Sequence, residues 1–282
     1  MNFIYSFQSE WLKTKRSLAS WLVIVGGFFI PLIIVAARIL YPVNSQKESL
    51  SPQFWESLMK QSWQLMALFL LPMGVILATS LITQIEFKNN TWKQLHTTPQ
   101  RLSTIFWSKL SVIVLMMLQF FILFNVGIFL SGVIPSLILS NVDYPKEAFP
   151  LLSYLKTSGY FFVDCLPIVA LQYLVSLQFR NFMVPLGVGI GVLLAALFAV
   201  EWEYGYIVPY TYCPYNFFML RGADMKATQH VNIHALALGY SPEVAHSLPL
   251  PMGFYARSWP HLVQQNRSWV HTSCQLHEPQ ES

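Results

Sequence analysis

The strongest constraint on this chain is a run of 33 residues, 110–142, without one Asp, Glu, Lys or Arg. A helix that long and that evenly apolar has no polar face to turn to water, which argues against a soluble amphipathic packing. Four more runs behave alike. Residues 17–37, 61–85 and 181–200 carry no charge, and 157–179 carries only Asp164. About 20 mostly apolar residues, rising 1.5 Å each, cross the hydrocarbon core of a bilayer. The sequence therefore predicts an all-α, polytopic membrane protein of five spans. Charged residues make up 11% of the chain, against about 25% in soluble domains.

Other classes lose their support on chemical grounds. The net charge of +4 is scattered over loops, with no basic stripe for nucleic acid. Cys165, Cys213 and Cys274 show no metal or disulfide spacing. There is no phosphate-cradling glycine loop and no H-E-x-x-H zinc pair. No two glutamates share a span. No catalytic residue, cofactor or metal site is expected.

Loop charges predict the topology. Lys13, Lys15 and Arg16 precede the first span, so the N-terminus is expected in the cytoplasm. Basic and acidic residues balance in 41–60 and in the loop from Asp143 to Lys156, which are expected outside. Arg180 marks a short inner hairpin, and Glu201 and Glu203 fall outside. Arg38 is expected to snorkel to the outer face. Gly132 and Pro135 are expected to end the third span. Gly187, Gly191 and Ala195 form a small-residue row on the fifth, read as internal packing rather than a subunit contact. Five tyrosines between 204 and 215 predict an outer interfacial segment.

Two places draw attention as functional. The loop 86–110 carries Lys88, Lys93, Arg101 and Lys109 against the single acid Glu86. Thr91 suits a helix cap and Pro99 a helix stop, so a short cytoplasmic helix fits there. An ordinary solvated loop is the alternative. Asp164 is the one acid well inside a span. A lone carboxylate in lipid is costly. It lines a substrate path, pairs with another helix, or snorkels outward.

From Arg221 the character changes. Six of the seven histidines fall in 221–282, without a recurring ligand spacing. No long apolar run follows, so a polar, disordered tail is expected there, in preference to a metal-binding tail or a small outer domain.

Several stretches carry a family resemblance. They are SEWLKTKRSLASWL at the start, EFKNNTWKQLHTTPQRLSTIFWSKL in the loop, LQFRNFMVPLGVGIG at the hairpin and PYTYCPYNF after it. Together they resemble the permease subunits of type-2 ABC transporters, in particular the lantibiotic-immunity and bacitracin-export-like branch. The likeness covers about residues 1–220, taken as the permease domain, with 221–282 as the tail. It implies a permease that docks a separate ATPase subunit through its loop, at Glu86, Asn90, Thr91, Trp92, Pro99, Arg101 and Lys109. It implies a homodimer or a paired permease in membrane lipid, and a peptide antibiotic or other amphipathic cargo. The family has six spans with both ends inside. The missing sixth span fits an altered reading frame, and so an inactive permease. The rival reading is a non-transporting membrane anchor for a cytoplasmic partner.

Overall fold

In the computed structural model, residues 3–88, 102–222, 231–241 and 245 are described, the side chains of 86–88 and 102 excepted. Among them there is no strand. Helix satisfies every backbone N–H and C=O within one segment, which the hydrocarbon layer demands. The elements are α1 (Phe3–Lys15), α2 (Leu18–Leu40), α3 (Pro42–Ser49), α4 (Phe54–Leu65) and α5 (Leu71–Lys88). Then follow α6 (Leu102–Ile138), α7 (Leu151–Gln178), α8 (Met183–Ala199), α9 (Tyr212–Leu220) and α10 (Ile233–Ala237).

Four helical stretches have the length and apolarity to cross a membrane: Leu18–Leu40, Phe54–Ile85, Ser103–Ile138 and Leu151–Gln178. The fifth predicted span is α8, a shorter apolar helix of 17 residues. The second span starts earlier than its uncharged run. Glu56 and Lys60 lie on α4 and pair with each other at 2.6 Å, one turn apart. Between α4 and α5 the chain widens into a π turn, Met66–Leu70, where Leu71 N–H reaches back to Met66 O. Pro72 follows at once and has no N–H to give, so the ladder is already broken there.

α2 and α6 form a long, close seam. A side chain at Gly127 would collide with Pro31, so glycine is what lets the two helices meet. The same seam corrects two expectations. α6 runs through Gly132 and Pro135 to Ile138 rather than ending at them. Proline cannot donate to the carbonyl four residues back, which is Ser131 O. Arg38 takes that role: its Nη1 donates to Ser131 O at 2.9 Å and to Gly132 O at 3.3 Å. Its Nη2 donates to Ser49 Oγ at 2.8 Å, and its guanidinium lies over the Phe54 ring. Arg38 is 4% exposed, so it turns inward and does not snorkel.

The core is aromatic around Trp63, which stacks on Phe161 at 3.9 Å and meets Phe124 edge-on. The small-residue row on α8 faces outward. A side chain at Gly187 or Gly191 would meet nothing, and Gly189 is the glycine packed inside, against Ile76 and Gln172. The expectation of internal packing for that row is therefore corrected.

Candidate functional site: a buried carboxylate and one end of the bundle

The tyrosine-rich segment after α8 turns back into the bundle instead of lying at its rim. Tyr210, Thr211, Tyr212, Cys213, Tyr215, Asn216 and Phe217 are all buried. Two short 3-10 turns, Gly205–Ile207 and Pro209–Thr211, lead into α9. Irregular backbone inside a bundle needs its polar groups met by the surrounding protein. The polar groups are met from within. Tyr210 Oη donates to Gln172 Oε1 at 2.8 Å, and Gln172 Nε2 donates to Pro185 O at 2.8 Å. Burial pushes the Tyr210 hydroxyl up to about 12.

This inward segment carries the partner of Asp164. The carboxylate is fully buried on α7. Its Oδ2 accepts from Asn216 Nδ2 of α9 at 2.7 Å, and its Oδ1 lies 2.8 Å from His234 Nδ1 of α10. A carboxylate only accepts, so Nδ1–H donates to it. The Tyr160 ring stacks on the imidazole, with ring centroids 4.4 Å apart. That orientation leaves Nε2 buried and without a hydrogen-bond partner among the described residues. Three elements thus converge on one buried acid, as a carboxylate out of water requires.

α10 corrects part of the tail expectation. Val231, Ile233, His234, Ala235 and Ala237 are buried against the bundle. Asn232 caps the helix start, accepting from Ala235 N–H. Gly239, at φ +86°, ends it in a left-handed turn, with Tyr240 N–H returning to Ala235 O. This folded piece is short and set among polar residues, so composition over the whole stretch does not reveal it. Residues 223–230 and those after 245 lie outside the described residues.

At one end of the bundle, Lys109 sits two turns into α6 and is 2% exposed. Its Nζ lies 3.8 Å from Glu10 Oε2 on α1, and Glu10 Oε1 also pairs with Lys13 at 2.6 Å. Ser6, Glu10 and Thr14 form the buried stripe of α1, while Ile4, Tyr5 and Leu12 are exposed. Phe7 and Trp11 pack against the core beside that stripe, and Gln8, Ser9, Lys13 and Lys15 are exposed with the apolar residues, so the outward side of α1 is mixed. Tyr173 reaches Phe106 O at 3.4 Å, so the turn after α7 lies at the same end. Glu86 lies on the last turn of α5, its side chain outside the described residues. Asn90, Thr91, Trp92, Pro99 and Arg101 lie outside them altogether. No cluster of metal-ligating side chains occurs among the described residues.

Fold and site together define a multi-pass, all-α membrane protein with polar contacts buried inside its bundle. A family model described as ABC-2 family transporter protein matches residues 6–201, and the chain belongs to that family. It is a membrane-spanning permease subunit of an ABC transporter, a class whose ATPase is a separate subunit. No curated protein and no solved structure matches the chain. Asp164 and Lys109 fall within the matched residues, whereas Cys213, Asn216 and His234 lie beyond them.

Proposed function

We propose that the chain is the permease of an exporter for amphipathic peptides, peptide antibiotics included, in the lantibiotic-immunity and bacitracin-export-like branch. Residues 1–220 are the permease domain in this reading. The ATPase docks at 86–110 on the cytoplasmic face, with the N-terminus on the same side. The observation that carries the reading is the Glu10–Lys109 contact. It joins α1 to the base of α6, the helix that leaves the proposed docking loop. A push on the loop then reaches α6 and α1 together. ATP shifts the bundle between states only through its differential affinity for them.

Two further features support cargo and pairing. A groove of about 560 Å³ between α6 and α7 is lined by Phe121, Phe129, Phe149, Tyr154 and Phe162. It holds one polar couple, Ser158 Oγ donating to Asn125 Oδ1 at 2.9 Å. That suits a mostly apolar solute with few polar groups. The open glycine row of α8 suits a second permease or lipid. The test is reconstitution with the ATPase of the same transporter. Replacing Glu86 and Thr91 with Ala should weaken co-purification of the ATPase while membrane insertion persists. Unchanged co-purification together with unchanged peptide-stimulated ATP hydrolysis would refute the docking assignment.

A further inference from the structure

We propose that Cys165 and Cys213 form a site for an intramolecular disulfide that fastens α9 to α7. The two sulfurs lie 3.3 Å apart, on elements 48 residues distant in sequence. Both side chains are fully buried. The seam between them is held in register by a second contact. Asp164 immediately precedes Cys165, and Asn216 follows Cys213 by one helical turn, and these two neighbours are hydrogen-bonded at 2.7 Å. A disulfide needs about 2.05 Å between sulfurs, so the closure is on the order of 1 Å, within reach of small side-chain rotations. Neither spacing nor motif links the two positions, so the pair is not legible from sequence.

The reaction is an exchange with a low-molecular-weight disulfide. One cysteine thiolate attacks a sulfur of the reagent, forming a mixed disulfide and releasing one reagent thiolate. The second cysteine thiolate then attacks the protein-bound sulfur and releases the other. The protein loses two electrons and two protons, the electrons reduce the reagent to two thiols, and the protons pass to water or to those thiolates. The hydrogen bond to Cys165, with burial, pushes the Cys213 thiol up. A protonated thiol is a poor nucleophile. Exchange is therefore slow in the packed bundle and fast only before α9 docks or when it lifts.

The experiment uses the full chain with Cys274→Ser, so that two cysteines remain. Dipyridyl disulfide is added in one arm to purified protein in lipid discs, and in the other to cells during synthesis. The protein is then denatured, alkylated and weighed. The expected product has lost two hydrogens, takes up no alkylating agent, and regains two alkylation sites after dithiothreitol. Cys165→Ser and Cys213→Ser variants should each stop at one reagent adduct or none. The cross-linked form should also unfold at a higher temperature before reduction than after it. Two free thiols in both arms, or two separate reagent adducts on one chain, would overturn the proposal.

Discussion

Asp164, Asn216 and His234 show how one residue type becomes conspicuous while its partners stay hidden. An acid inside an otherwise uncharged span stands out in the sequence, because lipid penalises it. Asn216 and His234 lie 52 and 70 residues further on, and nothing in their local spacing points back to α7. Removing one partner of a buried charged contact costs on the order of 3 kcal/mol, whereas removing both costs far less. His234→Leu should therefore lower thermal stability in detergent markedly. Combining it with Asp164→Leu should recover much of the loss, a coupling that a double-mutant cycle reads directly. Additive losses would show that the two side chains act independently. Lys109 was legible only in part. Its charge belongs with the loop in sequence, but its burial against Glu10 depends on how α1 folds back, which no run of residues encodes. Lys109→Met should speed limited proteolysis within α1 by loosening that helix. An unchanged cleavage rate would count against the contact.

At the scale of elements, the long uncharged runs were readable because lipid selects length and apolarity directly. The errors came where a second element supplies what the first one lacks. Pro135 read as a stop, but Arg38 occupies the carbonyl that proline leaves open. The tyrosines at 204–215 read as a rim, but Gln172 and Ala199 O receive two of their hydroxyls inside. Burial holds Tyr210, Tyr212 and Tyr215 up at about 12. Unfolded tyrosine ionises near 10. The stability from these three is fully present below about pH 10 and is lost as pH rises toward 12. A flat melting temperature between pH 9.5 and about 11.5 in detergent would contradict their burial. The tail makes a sharper test. Truncation after Leu220 removes α10 and strips His234 from Asp164, so the melting temperature should fall by several degrees. No change would return α10 to the status its composition implied.

For the whole molecule, alternation of basic and balanced loops yields a sidedness that pairwise contacts alone cannot supply. Glu10 with Lys109, and Tyr173 with Phe106, gather the N-terminal helix, the base of α6 and the end of α7 at one end of the bundle. That this end faces the cytoplasm is an expectation from loop charge alone. A cysteine introduced by Thr98→Cys, in a chain whose own cysteines are replaced, should resist an impermeant maleimide in intact cells and react once the membrane is opened. Labelling in intact cells would invert the orientation.

The unequal helices also make a statement about the bilayer. At 1.5 Å per residue, the 17 residues of α8 reach about 25 Å, and the 37 residues of α6 about 55 Å. Hydrocarbon averages about 30 Å in thickness. Were α8 to cross the bilayer, its flank would fall short of that and lipid beside it would have to compress, while the α6 flank would impose no such demand. Each permease would then carry a local dimple on one side. Two copies apposed at α8 would share one deformation instead of making two, a force toward pairing that needs no specific side-chain contact. Lengthening the acyl chains of a reconstituted bilayer should strengthen that association, as energy transfer between singly labelled permeases would report.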